Sequence, residues 1–135
     1  MGQKKIVLDT NILISACGWE GKPKELFKKI LNHEYELIIS IEQIDELKRV
    51  LDYPRFDFTE DQKSKFLVIL TLISTIIPLN QSINIIKEDP DDNIILETAI
   101  ESEAEFLISG DPHLLNLKEY KTIKIMTVSD FLNQQ

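Results

Sequence analysis

Cysteine occurs once, at Cys17, so a single chain can form neither an internal disulfide nor a thiolate metal cluster. Hard oxygen ligands remain. Long apolar runs are missing too: the longest apolar-rich tract, Phe66 to Leu79, is too short to span a bilayer and contains Thr71, Ser74 and Thr75. The run after Lys4 and Lys5 is broken by Asp9 and Asn11 before it could serve as a signal-peptide core. The protein is therefore expected to be soluble and intracellular, in the cytoplasm, without membrane contact. Positive charge is also scarce. Fifteen Lys and Arg face 23 Asp and Glu, a net charge of -8, which argues against a surface that grips nucleic acid everywhere. A polyanion would have to be held locally, with divalent cations offsetting acids gathered in a cleft.

What is present suits one globular domain over residues 1–135, with 43% hydrophobic residues and neither an internal repeat nor a low-complexity segment. Ile6, Val7 and Leu8 read as a short strand buried on both faces, and Gly18 to Gly21 reads as a loop. Pro23 then opens a helix with Leu26, Phe27, Ile30 and Leu31 inward. Its Lys24, Lys28 and Lys29 form a basic side, read as solvated, with phosphate contact as the minority alternative. Glu36 to Ser40 is a second strand, with Ser40 capping a helix over 41–51. Thr59 and Gln62 offer a capping box for the next helix, in which Phe66 to Ile73 is apolar almost all round. Burial is the default for that stretch and self-association the alternative. Thr75 to Leu79 gives a third strand, Pro78 marking a sheet edge or the end of pairing. Gln81 to Lys87 is ambiguous. Ala104 to Ile108 is a fourth strand, Ile123 to Met126 a last one, and a short helix starts at Ser129. Strands alternating with helices predict a three-layer α/β/α fold with a mostly parallel central sheet.

Acids recur at the ends of these elements. Asp9 follows the first strand, at the edge where open α/β sheets bind ligands, although helix capping by Asp9, Thr10 or Asn11 explains it equally well. Asp111 repeats the pattern after the fourth strand, with Gly110 permitting a tight turn and Pro112 suiting a first helical turn. Asp89, Asp91 and Asp92 crowd the start of a helix buried through Ile95, Leu96, Ala99 and Ile100. A helix N-terminus accounts for one or two acids, and a third suggests a cation. On the helix over 41–51 the stripe Ile44, Leu47 and Leu51 leaves Asp45 and Glu46 each about 130° from its centre, so periodicity does not choose between them. Convergent carboxylates without thiols suit Mg²⁺ or Mn²⁺.

These residues resemble the PIN-domain ribonucleases, most closely the group regarded as toxin components of toxin-antitoxin pairs. Val7-Leu8-Asp9-Thr10-Asn11-Ile12-Leu13 is similar to the family's opening signature. Glu46-Leu47, with Leu51 and Pro54-Arg55-Phe56, is similar to its second motif, and the resemblance selects Glu46 over Asp45. Asp92, seven residues before Ala99, fits the third acid, and Ser109-Gly110-Asp111 before Leu114-Leu115 fits the fourth. The resemblance covers nearly the whole chain. It implies a PIN-like fold and metal-dependent cleavage of single-stranded RNA, with Asp9, Asp92 and Asp111 holding one or two ions and Glu46 completing the cluster. Thr10, Asn11 and Ser109 would orient the carboxylates. Asp89 and Asp91 either tune the site or are solvated, and His113 reads as a loop residue with general acid as the alternative. An antitoxin protein and a homodimer are the partners implied beside RNA. Two rivals stand: a catalytically silent PIN-fold module that binds RNA or protein, and a haloacid-dehalogenase-like phosphatase using Asp9 as nucleophile. The latter needs a second Asp where this chain has Asn11.

Overall fold

Five apolar strands run parallel because helical crossovers return the chain to the same edge each time. The computed structural model describes residues 3–80 and 90–134, and for positions 90 to 92 the backbone alone. The strands are β1 (Lys4–Leu8), β2 (Tyr35–Ser40), β3 (Ser74–Ile77), β4 (Phe106–Ile108), β5 (Glu119–Tyr120) and β6 (Ile123–Met126). They are ordered β3-β2-β1-β4-β6-β5, and only β5 is antiparallel to its neighbour. The helices are α1 (Thr10–Gly18), α2 (Lys22–Leu31), α3 (Ile41–Leu51), α4 (Glu60–Ile73), α5 (Pro90–Ser102), α6 (Pro112–Leu115) and α7 (Val128–Asn133).

The pleat of β1 divides the core in two. Ile6 and Leu8 pack on one face, where Leu13, Leu26, Leu47, Leu70 and Phe131 bring in α1, α2, α3, α4 and α7. Val7 points to the other face, against Ile95, Leu96 and Ala99 of α5 and Leu114 of α6. Each fully buried Leu or Ile contributes about 1.5–3 kcal/mol, and both faces of β1 draw on it. The central strand carrying Asp9 is thus among the best anchored parts of the chain.

Most expected elements are present, including α2 with Pro in its first turn and the reciprocal capping box of Thr59 and Gln62 on α4. β3 is an edge strand ending one residue before Pro78. The short β5 was not expected: two residues are too few for a periodic signal. Gln81 to Lys87 and Asp89 lie outside the described residues. One expectation is overturned. In α4 only Phe66 and Leu70 are buried, while Val68, Ile69 and Leu72 are 58%, 41% and 79% exposed. The helix packs through one edge onto α2, where Phe66 meets Phe27, so its all-round apolarity reflects an outward face and not deep burial.

Candidate functional site

At the carboxyl edge of β1 the chain turns straight into α1, and Asp9 is the residue at the junction. It caps α1, its Oδ1 accepting the Asn11 N–H at 3.4 Å. Its other oxygen accepts the Ser109 hydroxyl at 2.6 Å, across from the end of β4. Asp9 is only 6% exposed. Burial drives its carboxyl above the ordinary range, the Ser109 and Asn11 hydrogen bonds pull it down, the Asp111 charge pushes it up again and the Thr10 backbone pulls it down. Desolvation wins.

Ser109 couples the two strand-end acids. Its oxygen accepts the Asp111 N–H at 2.9 Å while its proton goes to Asp9. Asp111 caps the short α6, accepting the His113 N–H at 2.8 Å, and His113 Nδ1 lies 3.5 Å from the same oxygen. Among the described residues no lysine or arginine forms an ion pair with Asp9 or Asp111. Gly110 has no left-handed backbone, and a Cβ on it would meet nothing within 4 Å. Open space borders the acids at that point.

The third acid comes from α3. The buried face of this helix is Gln43, Leu47, Val50 and Leu51, with Ile44 only partly buried. The stripe is therefore rotated from the apolar one read in the sequence, because a glutamine occupies its centre. On an ideal wheel the rotated face leaves Glu46 about 85° from its middle and Asp45 about 175°. Asp45 is exposed accordingly. Glu46 Oε2 accepts the Thr10 hydroxyl at 2.9 Å, one residue from Asp9.

Asp92 stands in the first turn of α5, and its side chain, like that of Asp91, lies outside the description. The direction of α5 fixes which edge its backbone occupies. Near its end, the Ser102 carbonyl accepts Lys5 Nζ at the opening of β1, at 3.3 Å. In its middle Thr98 meets Ser40 at the finish of β2, 2.9 Å between hydroxyl oxygens. The helix thus runs back along the strands, and Asp92, six residues before Thr98, lies about 9 Å further toward the carboxyl edge. Among the described residues, no three His, Cys, Asp or Glu side chains are grouped to hold a metal ion.

The sequence reading missed the support beneath these acids. A hydroxyl has one proton, so the contacts form a single chain: the Gln43 N–H donates to Ser40, Ser40 to Thr98, and Thr98 to the Ile94 carbonyl at 2.7 Å. The Gln43 amide also donates to the Leu8 carbonyl at 2.7 Å, directly before Asp9. Ser40, Gln43 and Thr98 are all fully buried. Their mutual bonds pair these buried hydroxyls and the Gln43 Nε2, leaving the Gln43 Oε1 buried without a hydrogen-bond partner, and they join β1, α3 and α5, the elements carrying Asp9, Glu46 and Asp92. Asn93 and Glu97, one turn apart on α5, are buried as well. The signal for Glu97 was a single acid inside the apolar run from Ile94 to Ile100.

With this geometry in hand, the comparisons are specific about the fold. The PIN domain profile matches residues 5–113. VapBC2 from Rickettsia felis, solved bound to a DNA fragment from its promoter, is similar at a TM-score of 0.64 and 17% identity, covering 90% of this chain and 96% of that one. PAE2754 from Pyrobaculum aerophilum is similar at 0.64 and 16% identity, covering 98% and 88%. No curated protein matches the sequence.

Proposed function

The chain belongs to the PIN-domain family, and from that premise we propose that it is a metal-dependent endoribonuclease cleaving single-stranded RNA, the toxin of a toxin-antitoxin pair. PIN domains are generally nucleases that use divalent ions. The observation that carries the reading is the buried Asp9 carboxylate, held by Ser109 beside a like-charged Asp111, with no lysine or arginine among the described residues paired to either.

The donor set fits Mg²⁺ or Mn²⁺: hard carboxylate oxygens, a neighbouring charge that repels, and hydroxyls that aim them. Asp9, Asp92 and Asp111 would hold one or two ions, with Glu46 completing the acidic cluster. A bound divalent ion would offset this charge, polarise a phosphodiester and make nearby water more acidic. Ser109 fixes one Asp9 oxygen and leaves the carboxylate a defined direction. Thr10 does the same for Glu46. The open space at Gly110 leaves room for a phosphate to approach the acids.

Two measurements bear on this. Incubation with single-stranded RNA and Mn²⁺ or Mg²⁺ is expected to yield fragments, and EDTA to stop the reaction. RNA left intact with either ion would reject the nuclease reading and favour a silent binding module. Ser109→Ala removes the bond that holds Asp9, so Mn²⁺ affinity is expected to fall about 10–100-fold by calorimetric titration. Equal affinity in the variant would show that Ser109 does not orient the ligand.

The partner proposed is an antitoxin protein, on the example of the VapBC2 complex. Self-association through the exposed Val68 and Leu72 of α4 is the second proposal. A monomeric mass by sedimentation at all working concentrations would count against it. Among the described residues no helix is long and apolar enough to cross a membrane. The family model that matches is that of the PIN domain, over residues 5–113.

A further inference from the structure

Beyond the far end of α1 lies a group of aromatic side chains that the acid site does not use. Phe58 is seated on Gly18: a Cβ at Gly18 would fall 2.6 Å from its ring, so the absence of a side chain there is what lets the ring pack down. Asp57, with a left-handed φ of 50°, ends the 3-10 turn Pro54–Phe56 and brings Phe58 back over Phe56. These two rings stack at 5.7 Å and 15°. Tyr53 continues the stack, nearly parallel to Phe56 at 6.4 Å and 5°. Trp19 closes it edge-on, 5.6 Å from Phe58 and 6.1 Å from Phe56.

Two features set this cluster apart from core packing. Trp19 and Tyr53 are 49% and 37% exposed, so large ring surfaces face solvent. The Arg55 guanidinium lies over the Tyr53 and Phe56 rings at 5.4 and 4.9 Å and forms no ion pair among the described residues. Of the acids close to it in the chain, Asp52 and Glu60 pair with Lys63, and Asp57 forms no ion pair with Arg55 among the described residues. In a chain of net charge -8 this leaves a local cation amid exposed π-faces. Ring faces that stack bases and an arginine that meets phosphate or a base plane are the chemistry of sequence-tolerant single-strand binding.

We propose that Trp19, Tyr53 and Arg55, backed by Phe56, form a stacking platform that holds bases of single-stranded RNA flanking the bond cut at the Asp9 site. The proposal rests on the nuclease reading for its substrate class. Position supports it. Asp9 caps the start of α1 and Trp19 follows its end, ten residues or about 15 Å away, and α3 links Glu46 to Tyr53 in the same way. Strand held on the platform therefore reaches the acids along the two helices that carry them.

Trp19 is the only tryptophan, so its emission reports on the platform directly. The full chain is titrated in EDTA, where cleavage is suppressed, with an unstructured ten-nucleotide RNA and with the same sequence as a duplex. Saturable quenching by the single strand is expected, with little by the duplex. Arg55→Ala and Tyr53→Ala change exposed side chains and are expected to weaken single-strand binding about 5–100-fold each. In Mn²⁺ they should raise KM more than they lower kcat. No quenching, or equal affinity in both variants, overturns the platform. A shift in oligomeric state in those variants with RNA binding untouched makes the patch a protein contact and overturns it too. Cleavage without quenching rejects the platform alone, whereas quenching without cleavage in Mn²⁺ rejects the nuclease reading and leaves the platform standing.

Discussion

Asp9→Asn is expected to abolish Mn²⁺- or Mg²⁺-dependent RNA cleavage, by about 10³-fold or more, in a protein that still folds. The magnitude follows from losing several kcal/mol of metal-assisted stabilisation, at 1.36 kcal/mol per tenfold. Folding should survive because Asp9 is a helix cap as well as a proposed ligand. An asparagine oxygen can still accept the Asn11 N–H, and asparagine is as good an N-cap as aspartate. Stability carries a second signature. Burial holds the Asp9 carboxyl above its usual range, against the lowering effect of Ser109. The folded state therefore keeps the proton longer than the unfolded chain, whose value is about 3.9. Stability from this group is present below that pH and is lost as pH rises through the raised folded value. Melting in EDTA should then show wild type falling relative to Asp9→Asn across that window. Added Mn²⁺ should restore wild type and leave the variant unmoved. Undiminished cleavage by Asp9→Asn would sink the catalytic assignment.

Phe131→Ala should cost about 3–5 kcal/mol, a large part of the 5–15 kcal/mol that holds a domain of this size. Phe131 on α7 is fully buried and meets Tyr35 and Phe106 edge-on, each at 5.1 Å. Tyr35 opens β2 and Phe106 opens β4. The ring thus seals the end of the sheet opposite the acids, in the part of the chain past residue 113 where the PIN profile stops. Thermal melting should show a fall on the order of 10 °C. Mn²⁺ affinity of the folded protein at low temperature should match wild type. An affinity that fell with stability would show that the two sheet edges are not independent.

The strands were legible where burial on both faces forced unbroken apolar runs, as in Ile6 to Leu8 and Leu37 to Ile39. The acids at their ends stood out for the same reason: an Asp after three fully buried residues breaks the pattern visibly. The choice between Asp45 and Glu46 was not legible from periodicity, because the buried stripe of α3 centres on Gln43 and a buried glutamine looks like surface in a sequence. Its amide reaches the Leu8 carbonyl across 35 positions of chain, a relation no local pattern encodes. The α4 error has the opposite form. Val68, Ile69 and Leu72 are apolar yet exposed, and hydrophobicity marks what could be covered without saying whether the same chain covers it. The Ser40 and Thr98 pair was invisible because each hydroxyl, read alone, is a cap or a neutral helix residue. The aromatic group was hidden in a similar way, since Trp19 and Phe58 are brought together only by the bare backbone at Gly18.

The hydroxyl chain from Gln43 through Ser40 to Thr98 bears on how the molecule breathes. Thr98 ties the helix that carries Asp92 to the end of β2, and Gln43 ties the helix that carries Glu46 to the end of β1. Lifting α5 off the sheet would strand the Ser40 hydroxyl and loosen the cap of α3 in the same movement. The elements bearing three of the acids therefore open as one cooperative unit, and no partial fluctuation releases one of them cheaply. A cation that gripped carboxylates on these elements would pin the whole unit. Ion binding, on the proposed reading, and the rigidity of this half of the protein would then be a single equilibrium.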